Sequence, residues 1–123
     1  MAPRISIVIP VRNDAAALAR TLDRLAALRG VGGAEVIVAA ASEPDATERV
    51  AAGRARVVRP GGSTRAEMMN GGAATARGAV LFFLHADSFP PPDALARIEA
   101  ALAEPRAVGG AFEHLFDEPG WSL

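Results

Sequence analysis

Apolar residues gather into short runs along this chain, and the runs alternate with stretches where they recur every three or four positions. Residues 5–9, ISIVI, are mostly β-branched and stop at Pro10, as a buried strand would. Asn13 and Asp14 can cap a helix that starts there. Leu18, Leu22, Leu25 and Leu28 then follow at helical spacing, with Arg20, Asp23 and Arg24 on other faces. Gly30, Gly32 and Gly33 should end that helix. Residues 35–39, EVIVA, read as a second strand. Residues 42–47 read as a loop entering a short helix, with Ser42 and Asp45 spaced as a capping pair. Residues 56–58 form a weaker strand closed by Pro60, Gly61 and Gly62. Thr64 and Glu67 are a second capping pair, opening a helix expected to reach Arg77 and stop at Gly78. Residues 79–84, AVLFFL, predict a buried, central strand. Pro90, Pro91 and Pro92 introduce a last helix carrying Leu95, Ile98 and Leu102. A further strand is expected between residues 108 and 116, after Gly109 and Gly110.

Strand and helix alternate, which predicts an α/β fold with a mostly parallel sheet and flanking helices. Ligands of such sheets sit outside the carboxyl ends of the strands. Three segments leave those ends: residues 10–14, 40–45 and 85–88.

Composition narrows the setting. The chain has 123 residues, which suits one domain. Half are hydrophobic, against disorder, and the formal net charge of −1 favours neither nucleic acid nor an anionic membrane as partner. No apolar run approaches the roughly 18 residues that span a bilayer, so no transmembrane segment is expected. The N-terminus has no signal-peptide layout. Cysteine is absent, which excludes disulfides and thiolate metal sites. A soluble, cytoplasmic domain is the expectation.

The candidate chemistry lies in FFLHADS, residues 82–88. Side chains alternate along an extended chain, so His85 and Asp87 should point one way and Ala86 the other. An imidazole and a carboxylate so placed can share a divalent cation, Mg²⁺ or Mn²⁺, with the imidazole favouring Mn²⁺. Two ligands are too few for structural zinc. Spacing alone leaves a second reading open, in which Asp87 or Ser88 caps the next turn and His85 is half-buried. Gly71 and Gly72 after Asn70 are unusual inside a helix, where glycine costs about 1 kcal/mol relative to alanine. They imply a break, tight packing on the sheet, or backbone approach to a ligand. Arg65, near that helix's start, could meet an anion or simply be solvated. Nucleoside-triphosphatase, dinucleotide and α/β-hydrolase glycine motifs are absent.

Four blocks together resemble the N-terminal half of family 2 glycosyltransferases, which have the GT-A fold. They are IVIPVRND at residues 7–14, residues 35–47, MNGG at 69–72 running on to Gly78, and LFFLHADS at 81–88. The chain looks most like a bacterial subgroup carrying F-L-H-A-D-[ST]. GGAF at residues 109–112 and FDEPGW at 116–121 extend the match. The resemblance implies a single nucleotide-sugar-binding domain over residues 1–123, GT-A in type and incomplete at the C-terminus. It implies transfer of a sugar from a nucleotide-diphosphate sugar, with Mn²⁺ or Mg²⁺ on the diphosphate. By position, Pro10, Val11, Arg12, Asn13 and Asp14 would line the nucleotide pocket, with Arg65 toward the diphosphate and Asn70 close to the donor. His85, Ala86 and Asp87 occupy the place of the family's D-x-D motif. Asp87 would hold the metal, and His85 replaces the first acid.

The chain departs from that pattern in three places. The aspartate that contacts the base in relatives is Ala40 here; losing such a contact costs about 1.5–3 kcal/mol. Glu67 stands where similar sequences carry a second basic residue. Relatives also continue beyond the position of Leu123, where the acceptor side and often the catalytic base lie. Glu113, His114, Asp117 and Glu118 sit in the tail, where solvated charge is the ordinary role, and no base is assigned. An open sheet edge there, with Phe112, Leu115, Phe116 and Trp121, would need a partner such as a second copy of the chain. The alternative to an active transferase is therefore a truncated, inactive GT-A module acting through self-association or a partner. A nucleotidyltransferase-like domain shares the strand–loop–helix plan, but Arg12 alone would supply its basic loop.

Overall fold

A computed structural model of the chain describes residues 4–28, 30–41, 46–62, 64–85, 90–103, 111–113 and 120–122. Strand β1 (Ile5–Val11) leads to helix α1 (Ala15–Leu25), and a 3₁₀ turn at Val31–Gly33 leads to β2 (Glu35–Ala40). Helix α2 (Thr47–Ala51), β3 (Arg56–Val58), α3 (Arg65–Ala74), β4 (Val80–Phe83) and α4 (Ala94–Leu102) follow. Strands β5 (Ala111–Glu113) and β6 (Gly120–Ser122) close the sequence of elements.

The first four strands form one parallel sheet in the order β3-β2-β1-β4. Strand β1 is wholly buried, because it has a partner on each side and helices over both faces. That is why its sequence is an almost unbroken apolar run. Odd-numbered β1 residues Ile5, Ile7, Ile9 and Val11 pack with Leu18, Leu22 and Leu25 of α1, Ala51 of α2, and Leu95 and Ile98 of α4. On the other face Val8, Ala39 and Ala41 pack with Met68 of α3. Fully burying a side chain of this size is worth about 1.5–3 kcal/mol, so the first cluster holds the fold together. The strand expected after Gly110 is present as β5. It pairs antiparallel with β6, which the sequence reading did not anticipate, and Phe112 lies opposite Trp121 in register.

Three expectations need correction. Helix α1 stops at Leu25 rather than continuing through Leu28, although Leu28 stays buried. Helix α3 stops at Ala74 instead of Arg77. The N–H groups of Arg77 and Gly78 are taken by side chains from other strands: Arg77 donates to Glu35 Oε1 and Gly78 to Ser6 Oγ, both at 2.8 Å. Lastly, β4 is an edge of the described sheet rather than a central strand. Leu81 is 42% exposed and Phe83 37%, because α3 lies over β1 and β2 and leaves this face of β4 open. Of the apolar residues expected to be exposed in the tail, Phe112 and Trp121 fall in β5 and β6; Leu115 and Phe116 lie outside the described residues.

Candidate functional site

The carboxyl ends of β1 and β4 carry residues 10–14 and His85 to one edge of the sheet, while Arg65 and Asn70 belong to α3. At the end of β1, Pro10 and Val11 are buried, and the Val11 side chain belongs to the core. The Val11 carbonyl accepts from Ala41 N at 3.0 Å. The next two side chains, Arg12 and Asn13, are exposed. Asn13 adopts a positive φ of 50°, which asparagine tolerates better than most residues. The chain can therefore turn at once into α1. Asp14 Oδ1 accepts from Ala17 N at 3.1 Å, so its carboxylate is the helix cap.

At the end of β2, Ala40 is 1% exposed and Ala41 4%, and neither offers a polar side-chain atom. The polar groups come from a pair that sequence reasoning missed. Arg59, just beyond β3, donates from Nε and Nη2 to the two carboxylate oxygens of Glu48, at 2.8 and 2.7 Å. It also donates from Nη1 to the Ala41 carbonyl. One planar guanidinium thus ties the exits of β2 and β3 to the first turn of α2. A signal was available: Arg59 is the charged residue directly before Pro60, Gly61 and Gly62 at a strand exit.

Helix α3 begins at the same edge. Thr64 Oγ1 accepts from Glu67 N at 3.1 Å and Glu67 Oε1 accepts from Thr64 N at 3.2 Å, the reciprocal box expected from the sequence. Glu67 is therefore committed to capping. Arg65 and Asn70 are exposed, Arg65 on the first turn and Asn70 mid-helix. Of the three readings of Gly71 and Gly72, the structure supports packing. The helix is unbroken, and a Cβ on Gly72 would lie 2.7 Å from Val8 Cγ1 and 3.3 Å from Ala39 Cβ. A Cβ on Gly71 would meet the Pro60 ring.

At the end of β4, Leu84 N donates to Val8 O at 2.9 Å and holds the strand beside β1. His85 comes next and is half-buried. Its Nδ1 is fully buried and has no hydrogen-bond partner among the described residues. A buried imidazole nitrogen is normally satisfied, so this atom fits a ligand or a metal. Ala86, Asp87 and Ser88 lie outside the described residues, as do Ser42 and Asp45. Among the described residues, no three or more His, Asp or Glu side chains gather to hold a metal, and no helix is long and apolar enough to cross a membrane.

The clearest pKa perturbation is at the opposite, amino end of the sheet. Burial pushes the Glu35 carboxyl up, but hydrogen bonds from Arg77 N, Ser6, Arg56 and the Arg77 side chain outweigh it and lower the pKa to about 2.

Solved structures share this architecture. The mannosyltransferase PcManGT from Pyrobaculum calidifontis, in complex with GDP-Man and Mn²⁺, is 22% identical with a TM-score of 0.71. That likeness covers 85% of this chain and 34% of the mannosyltransferase, so the chain spans about a third of that protein's length. Glucosyl-3-phosphoglycerate synthase from Mycobacterium tuberculosis, with Mn²⁺, UDP and glucosyl-3-phosphoglycerate, is 24% identical with a TM-score of 0.61. It is matched over 87% of this chain and 40% of its own. A 4-diphosphocytidyl-2C-methyl-D-erythritol synthase is 17% identical with a TM-score of 0.67, over 100% of this chain and 69% of its own. At these identities the likeness shows the fold alone, a GT-A-type α/β sheet. No curated protein matches the chain. The family model for glycosyl transferase family 2 matches residues 6–122, and with that the chain belongs to glycosyl transferase family 2.

Proposed function

We propose that residues 1–123 form the donor-binding domain of a glycosyltransferase that moves a sugar from a nucleotide-diphosphate sugar to an acceptor. The observation that carries this reading is the family match over residues 6–122. The buried Nδ1 of His85 at the carboxyl edge, which has no hydrogen-bond partner among the described residues, supports it. Residues 10–14 supply the nucleotide side: Pro10 and Val11 as buried apolar residues, Arg12 and Asn13 as exposed polar groups, and Asp14 fixing the turn. Arg65 is an exposed cation at the start of α3, suited to a phosphate, and exposed Asn70 lies along the same helix. His85 and Asp87, with Ala86 between them, would hold a divalent cation, Mn²⁺ or Mg²⁺. When bound, the cation would neutralise charge developing on the departing diphosphate. The chain's own contribution is to bind and orient the donor at a fixed edge.

A second reading is favoured by two observations. Ala40 offers a buried methyl where relatives place an aspartate, and β4 keeps an open apolar face. In that reading the chain is an inactive GT-A module that works through self-association or a partner. Thermal melting with a panel of nucleotide diphosphates and nucleotide sugars, with and without Mn²⁺, separates the two. The donor reading expects a rise that needs both metal and one nucleotide and disappears in Asp87→Ala. A well-folded chain that shifts with no pair overturns it.

A further inference from the structure

Strand β4 has little means of choosing its own register. It has four residues, and within the described sheet it pairs with β1 alone. Its sequence is apolar from residue 79 to 84. A one-residue slip would swap its faces, but a two-residue slip would keep Val80, Phe82 and Leu84 alternating with Leu81 and Phe83. Such a slip would move His85 by about 6.6 Å along the strand. Hydrophobic pattern alone does not exclude it.

A polar cluster at the amino end of the sheet does. Ser6 of β1 is fully buried. Its hydroxyl donates to Glu35 Oε1 at 2.8 Å and accepts from Gly78 N at 2.8 Å. Glu35 Oε1 also accepts from Arg77 N at 2.8 Å. Glu35 Oε2 accepts from Arg77 Nε and Arg56 Nη2, both at 3.1 Å, and Arg56 Nη2 donates further to Thr75 O at 2.9 Å. The carboxylate, whose side chain is 8% exposed, therefore holds Arg77 N directly and Gly78 N through the Ser6 hydroxyl, just ahead of β4. The fit is specific at Gly78, where a Cβ would lie 2.7 Å from Ser6 Oγ and 2.8 Å from Ser6 N. The ladder then starts at once, with Val80 N donating to Arg4 O at 3.0 Å.

We infer that Glu35, acting through Ser6 and the Arg77–Gly78 backbone, is a positioning residue that sets the register of β4 and so the height at which His85 leaves the sheet. The consequence for donor binding rests on the function proposed above; the effect on His85 does not. The chain has two histidines, His85 and His114, so imidazole NMR signals can be assigned with a His114→Gln variant. Glu35→Ala should keep the helical circular dichroism but shift or double the His85 ring signals and remove the slow exchange of the Leu84 amide. Glu35→Gln retains an oxygen that can accept from Ser6 and Arg77 N, and should restore the parent signals. If Glu35→Ala does not fold, Ser6→Ala is read in the same way. Where the parent binds a nucleotide with Mn²⁺, Glu35→Ala should weaken that binding, and Glu35→Gln should restore it. A folded Glu35→Ala variant with parent-like His85 signals and Leu84 exchange would overturn the inference. A parent that binds no nucleotide, beside a variant with displaced His85 signals, would sustain it and remove the donor reading instead.

Discussion

Glu35 is charged down to strongly acidic pH because several donors surround its carboxylate. Its folded pKa of about 2 lies below the ordinary value of 4.5. The folded chain therefore binds fewer protons than the unfolded chain in that window. The stabilisation is complete above about pH 4.5 and is lost as pH falls toward 2. Glu35→Gln should be less stable than the parent at pH 7 and should lose less between pH 5 and 3; urea midpoints across that range measure it. At neutral pH the expected cost is about 1–2 kcal/mol, below the roughly 3–5 kcal/mol of fully buried pairs, because the Arg77 side chain is 71% exposed and that of Arg56 39%. Ser6 and Glu35 were visible in the sequence, one polar residue inside an apolar run and one charge at a strand start. Their meeting was not visible, since it joins three strands and a turn far apart in the chain. His85 was legible because it directly ends an apolar strand. Arg59 was legible only as a charge at a strand exit; its bonds to Glu48 and Ala41 depend on how β2, β3 and α2 converge.

The starts of α1 and α3 were legible and their ends were not, for a physical reason; α2, by contrast, follows Ala46, which makes no side-chain cap. A helix start is a local event, settled by one side chain and the next three N–H groups, and Asp14 and Thr64 both cap as their spacing indicates. The end of α3 is a tertiary event, decided by β1 and β2 capturing Arg77 and Gly78. The glycines of α3 belong to the same scale. Gly72 lets the helix approach the sheet over Val8 and Ala39. Gly72→Ala should gain about 1 kcal/mol in helix propensity and lose about 1–3 kcal/mol to overpacking. A lower denaturation midpoint is expected, and an unchanged or higher one would show that Val8 can give way.

At the scale of the molecule, the parallel sheet of the described residues ends at β3 on one side of β1 and directly at β4 on the other. The α/β class and parallel pairing were readable from alternation alone. The edge position of β4 was not, because an apolar run is the same whether a partner covers it or not. Leu81 and Phe83 are 42% and 37% exposed, so replacing both with serine should lower the melting temperature less than replacing the fully buried Ile7 and Ile9 in the same way; an equal drop would mean that this face is covered in solution. The placement of β1 has a further consequence, in the order of assembly. Ile7 meets Val36 on one side and Phe82 on the other. During synthesis the first contact forms early, while the second waits until most of the chain has been made. Such distant parallel pairing is intrinsically slow. Until it forms, β1, which is wholly buried in the finished fold, offers a bare edge beside the ribosome, where a chaperone would find a target.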